Sequence, residues 1–176
     1  DQLHNLWITQ RDAQAFRALT SRYCAMVYAT CVRILRNPAD AEDVTQECFI
    51  ALARTPRGLT GPMGAWLHRV ATYQALNRRR SEARRRIREE RYAPQDAAAD
   101  GRWDEIAPLV DEAIDQLPEK IRVAVVAHFV EDVPVTAIAE REGVTHGAIS
   151  QRLSKGVQLI RERLRHHGVV VGATAL

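Results

Sequence analysis

Residues 78–91, RRRSEARRRIREER, set eight Arg against three Glu, a guanidinium density whose chemistry is phosphate binding rather than bond cleavage. Tyr73 and Asn77 stand just ahead of this cluster. An aromatic plate and an amide beside arginine suit unstacked bases and their backbone; the plainer alternative is a solvated helix laced by pairs such as Glu82 and Arg86. A second set, His146, Ser150, Gln151, Ser154 and Lys155, offers the short polar and basic groups that reach base edges and phosphates in a major groove. A third runs the other way. NPADAEDVTQECFIAL, residues 37–52, carries Asp40, Glu42, Asp43 and Glu47 with no Lys or Arg against them.

Covalent chemistry lacks its parts. Ser21 sits among helical residues without a matching catalytic set, so the chain is expected not to be an enzyme. Cys24, Cys31 and Cys48 are odd in number, form no C-x-x-C and lie in apolar helical patterns, which predicts reduced core thiols. His166 and His167 are adjacent and point about 100° apart on a helix, a poor metal pair. No metal or cofactor is expected.

The elements that must position these groups follow from periodicity. Phe16, Leu19, Tyr23, Met26, Val27, Thr30 and Ile34 recur at threes and fours, predicting a long amphipathic helix over 12–35. Pro38 interrupts it. A second helix is expected over about 41–53, capped by Asp40 and burying Ala41, Val44, Cys48 and Leu52, with its acids outside. TPRGLTGPMG, 55–64, reads as a loop. Trp66, Leu67, Val70, Ala71 and Leu76 then begin a third helix that runs unbroken into the arginines, with Trp66 expected in the core. Beyond residue 109 helical spacing returns through Val110, Ile114 and Leu117; Ile121, Val125 and Phe129; Ile138; Ile149 and Leu153; and Leu159, Ile160 and Leu164. No alternating strand pattern occurs. The expected fold class is all-α, two small helical domains on a flexible acidic linker: 1–91, linker 92–108, 109–167, and an apolar tail, 168–176.

Within the second domain, Ala139, Gly143 and Ile149 form a helix-turn-helix skeleton. A small residue lets the helices cross closely, glycine takes left-handed turn angles, and Ile149 packs the second helix onto the first. Thr145 is the expected N-cap. A helical hairpin without DNA would share this spacing. Gly156 in mid-helix costs about 1 kcal/mol against Ala and so predicts a close packing contact.

The 176 residues, 46% apolar and 27% charged, have the composition of a globular protein. No stretch approaches the roughly 18 apolar residues of a spanning helix, and the start lacks signal-peptide order; a cytoplasmic protein without membrane insertion is expected. The net charge of +3 hides an alternation of acidic and basic segments suited to more than one kind of surface. The tail GVVVGATAL reads as a frayed end or small docking segment.

DAEDVTQECF, AWLHRVATYQALNRRR, LPEKIRVAV and VTAIAEREGVTHGAISQRLSK, in this order, make the chain resemble the extracytoplasmic-function (ECF) sigma factors of the sigma-70 family over about residues 12–165. The resemblance implies a non-catalytic specificity subunit that binds core RNA polymerase and promoter DNA. It implies that Asp43, Gln46, Glu47 and Phe49 meet the β′ clamp helices, so the acids face a protein. It implies a −10 site that includes Tyr73, with Asn77 at a base-reading position and Arg78, Arg79 and Arg80 on the backbone. Tyr73 stands where Asn is frequent. It also implies −35 recognition by Ser150, Gln151, Arg152, Ser154 and Lys155, contact of the second domain with the β flap, and control by an anti-sigma factor or other regulator. A stand-alone helix-turn-helix repressor or activator is the alternative, and it leaves the acidic helix and the Asn77 region unexplained. An enzyme such as a serine recombinase would need a catalytic α/β domain.

Overall fold

The computed structural model describes residues 2–55, 61–89 and 102–169 of the chain. Among them there are helices and no strand: α1 (Gln2–Gln10), α2 (Ala13–Leu35), α3 (Pro38–Arg54) and α4 (Met63–Glu89), then α5 (Arg102–Asp115), α6 (Glu119–Val125), α7 (Val135–Glu142) and α8 (His146–His166). A π-helical turn over Val126–Val130 continues α6.

In the first domain the Asp12 carboxylate caps α2 by accepting the Ala15 N–H at 2.6 Å. Its fully buried stripe is Leu19, Tyr23, Val27, Cys31 and Ile34, repeating every three or four residues. Arg36 ends the helix in left-handed geometry. The next helix starts earlier than the sequence suggests. Asn37 is the cap, its side chain accepting from the Ala39 N–H at 3.0 Å, and Pro38 occupies the first turn of α3. Proline is pre-set for that turn, where its missing N–H has no partner to lose, so Asp40 is not the cap. Ala41, Val44, Cys48 and Leu52 are buried as expected. Ala71 and Ala75, fully buried on α4, let that helix approach α2 and α3 closely. Trp66 packs against the same core.

The amphipathic spacing did not single out α1. Its Trp7 stacks on Phe16 with ring centroids 4.6 Å apart, and Arg11 beyond its end reaches the carbonyl oxygens of Ala53 and Thr55. Cys31 and Cys48 are buried free thiols, whereas Cys24 is exposed, against expectation. It precedes the buried stripe by three residues at Val27 but lies one residue past Tyr23, about 100° off that face.

In the second domain α5 already begins at Arg102, inside the stretch expected to be linker, and carries a buried Pro108 within it; residues 92–101 lie outside the described residues. The π turn admits one extra residue, which rotates the following side chains. Val126 and Ala127 are therefore buried, and Phe129, expected inside, is 52% exposed. Gly143 ends α7 at φ 64°, and the Thr145 hydroxyl caps α8 by accepting the Ala148 N–H at 3.2 Å. A Cβ on Gly156 would come within 2.5 Å of Val125 Cγ2, which is the close contact its place in mid-helix implies. Of the tail, Val169 packs on the second core; residues 170–176 lie outside the described residues. The two domains touch: α5 lies on α2 and α4, and the π turn meets α4.

Candidate nucleic-acid interface

Helix α3 divides its surface cleanly. Glu42, Asp43, Gln46 and Glu47 are exposed opposite the buried stripe. Phe49, grouped with them by the family pattern, is instead 8% exposed and part of the core. Ile50 continues the acidic strip, three residues after Glu47 and 48% exposed. Asp40 turns toward α4, where its Oδ1 accepts from Arg78 Nη2 at 2.7 Å.

On α4, Tyr73 is 64% exposed and Asn77 is exposed one turn further on. Arg80 follows on the same side, its Nη2 3.5 Å from Glu112 Oε1 of α5. Arg79 is half-buried. Arg78 does not reach out as the −10 reading expected: Asp40, first, and Glu82 at 3.0 Å bind its guanidinium and raise its pKa above the ordinary value. It joins α3 to α4 one residue past Asn77.

At the front of α8, His146, Gln151, Ser154 and Lys155 are exposed. Thr145 spends its hydroxyl on the cap, and the Ser150 hydroxyl donates to the His146 carbonyl at 3.1 Å. Arg152 is turned back. Its Nη1 lies 2.5 Å from Glu142 Oε2, and both side chains are about four-fifths covered, so this arginine braces α7 against α8.

The two surfaces lie on separate stretches of the chain, and each stretch matches a different family model. Residues 19–85 match the family model described as Sigma-70 region 2, and residues 108–160 match Sigma-70, region 4. The chain belongs to the ECF sigma factors of the sigma-70 family.

The ECF RNA polymerase sigma factor SigK of Mycobacterium sp. (strain KMS) is 32% identical, over 90% of this chain and 81% of that protein. The ECF RNA polymerase sigma factor SigW of Bacillus subtilis (strain 168) is 24% identical, over 90% of this chain and 93% of its own. A solved structure of the sigma factor RpoE in complex with the anti-sigma factor NepR from Bartonella quintana aligns at a TM-score of 0.42 and 17% identity, over 87% of this chain and 98% of that one, and carries no weight in the assignment. As an ECF sigma factor the protein is an RNA-polymerase-binding, promoter-specific initiation factor; factors of this family are not enzymes and act where the polymerase is. No helix among the described residues is long and apolar enough to cross a membrane. The region 2 match runs from within α2 to within α4, and the region 4 match from within α5 to within α8.

Sequence reasoning missed a polar cluster between the regions. Asp111, 2% exposed on α5, accepts from Arg33 Nε at 3.0 Å and Nη2 at 2.9 Å and lies 3.2 Å from Nε2 of the buried His68. Burial is the largest influence on its carboxyl and pushes the pKa up. The hydrogen bonds from His68 and Arg33 together outweigh it and hold the group below its ordinary value. The available signal was weak: one His and one Arg on predicted core faces, and an Asp between Val110 and Ile114.

Proposed function

We propose that this sigma factor docks on the β′ clamp helices through Asp43, Gln46 and Glu47, captures the opened −10 strand with Tyr73 and Asn77, and reads the −35 box as duplex with His146, Gln151, Ser154 and Lys155. Arg79 and Arg80 serve the −10 backbone. Phe49 supports the docking face from beneath, Arg78 positions α4, and Thr145, Ser150 and Arg152 hold the shape of the reading helix. Bond making stays with the polymerase, so the protein works in the cytoplasm as a non-enzymatic subunit, region 4 meeting the β flap.

The observation that carries this reading is the exposed Tyr73 and Asn77 pair, one turn apart and leading into the arginines. A tyrosine 64% exposed on a charged helix leaves most of its ring in water, and stacking on an unpaired base would cover it, worth about 1–3 kcal/mol. An anti-sigma factor is the proposed regulator; the apolar cleft of about 280 Å³ between α2 and region 4, where Met26, Val110, Ile114, Phe129 and Ile160 converge, offers it a seat.

Run-off transcription from a library of random promoters, with core RNA polymerase and either the parent protein or Asp43→Arg/Glu47→Arg, tests the reading. The parent is expected to initiate at a two-box promoter, and the charge-reversed form neither to bind core nor to initiate. Tight binding of promoter-length duplex by the parent alone, with core adding nothing, would replace this reading with a stand-alone regulator.

A further inference from the structure

Arg11 stands one residue past α1 with φ 55°, its N–H closing that helix on the Trp7 carbonyl at 3.0 Å. Glycine suits a left-handed helix end of this kind, and a side chain there is strained. The guanidinium accounts for arginine at this position. It lies over the Trp7 ring, 4.8 Å from the centroid, and donates from Nη1 to the Ala53 carbonyl at 3.3 Å and from Nη2 to the Thr55 carbonyl. Trp7 is itself buried against Phe16. All of α1 lies ahead of the Sigma-70 region 2 match, which begins at residue 19, so Arg11 belongs to no matched motif.

The carbonyls that Arg11 reaches mark the end of α3. A helix leaves its last carbonyl oxygens without intrahelical donors and presents the negative end of its dipole there. Three of them are taken here. The Thr55 hydroxyl donates to the Ala51 carbonyl at 2.7 Å, the Thr55 N–H to that of Leu52 at 3.2 Å, and Arg11 to that of Ala53. The turn held in this way starts at Ile50, whose carbonyl is the helical acceptor for the Arg54 N–H. The Ile50 side chain is 48% exposed, at the end of the strip formed by Asp43, Gln46 and Glu47. That strip is polar, and Ile50 supplies the apolar contact on which the centre of a protein interface depends. We propose that Ile50 belongs to the polymerase-docking face and that Arg11 is its positioning residue, holding the last turn of α3 from a helix outside the family motif. The proposal rests on the reading of α3 as the docking helix. It goes further by adding an apolar contact to that face and by giving α1 a part in polymerase binding.

Interferometry of the full chain on immobilised core RNA polymerase tests this with Arg11→Gly, Ile50→Ala and the two combined. Because glycine fits the backbone at position 11, Arg11→Gly removes the anchor without straining the fold. Each single variant is expected to bind core roughly fivefold more weakly, and the double variant about tenfold, well short of the roughly twenty-five-fold of independent effects. Asp12→Ala, next along the chain, removes the cap of α2 without touching the end of α3. It should bind core within about twofold of the parent. Parent-like binding by Arg11→Gly or by Ile50→Ala overturns the proposal, and so does a double variant that loses the full product. An equal loss in Asp12→Ala also overturns it, because core binding would then follow any loosening of region 2. Asp43→Arg/Glu47→Arg keeps two failures apart. If that form binds core as the parent does, the reading of α3 falls and the proposal with it; if it fails to bind while Arg11→Gly binds normally, the proposal alone falls.

Discussion

Arg152 lies three residues after Ile149, which on a helix of about 100° per residue puts it some 60° from that buried side chain. Gln151 and Lys155 lie well away from Ile149 and are exposed, while Arg152 meets Glu142. The same arithmetic places Phe49 about 60° from the buried Leu52 and Ile50 on the opposite side from Cys48. Both outcomes were therefore legible in the spacing; a motif ranks residues by type, and the type of an arginine does not say which way it turns. A brace and a DNA contact predict opposite signs for one change. Glu142→Gln removes an acid near the reading helix, and if Arg152 touched phosphate, duplex binding would tighten. With Arg152 as brace, Glu142→Gln lowers the melting temperature by the equivalent of roughly 1–2 kcal/mol and weakens −35 duplex binding, and Arg152→Ala does the same. Thermal unfolding and a duplex titration read both. Tighter binding in Glu142→Gln would return Arg152 to the DNA-facing set.

At the scale of the element, the stops and starts of helices decide more than their middles. Asn37 and Pro38 share the opening of α3, and Pro38 looks like a breaker until its own missing N–H is placed in the first turn. Asn37→Ala should cost about 1 kcal/mol in urea unfolding, whereas Asp40→Asn should cost less and act on the angle between α3 and α4 through Arg78. An equal or greater loss in Asp40→Asn would move the cap back to Asp40. Gly156 gives a second contrast. Alanine has the better helix propensity by about 1 kcal/mol, yet its methyl would stand 2.5 Å from Val125 Cγ2 and 3.1 Å from Ile121 Cγ2. Gly156→Ala is expected to destabilise the protein by about 1–3 kcal/mol, and Val125→Ala added to it should recover part of that loss; a stabilised single variant would show that the crossing of α6 and α8 is loose. The glycine's role was legible from position alone, since nothing but close packing explains glycine in mid-helix. The π turn was not: its five residues, Val126 to Val130, include no glycine or proline, and only the displaced Phe129 reveals the extra residue.

On the whole-molecule scale the sequence predicts two domains and says nothing of their meeting, because Arg33, His68 and Asp111 are separated by tens of residues and each has an innocuous local setting. Their burial has a consequence that can be measured against pH. Desolvation takes back much of what a buried ion pair gains, but removing one partner strands the other, and the cost is then several kcal/mol. Arg33 keeps about a third of its side chain in water, so Asp111→Asn should cost roughly 2–3 kcal/mol at neutral pH. The folded carboxyl of Asp111 is held below its unfolded value, near 3.9. Its contribution is therefore fully present above that value and is lost as pH falls through the folded one. Glu131 titrates in the opposite sense: burial, partly countered by Arg141, Arg22 and His68, raises its pKa, so acid relieves a charge that folding keeps out of water. In a Glu131→Gln background that opposing influence is gone. The stability gap between this protein and its Asp111→Asn derivative, followed by urea unfolding, should stay level from pH 7 to about pH 5 and shrink below pH 4. A gap that stays constant into acid would mean that Asp111 is held by packing rather than by its charge, and the electrostatic clasp between regions 2 and 4 would lose its central contact.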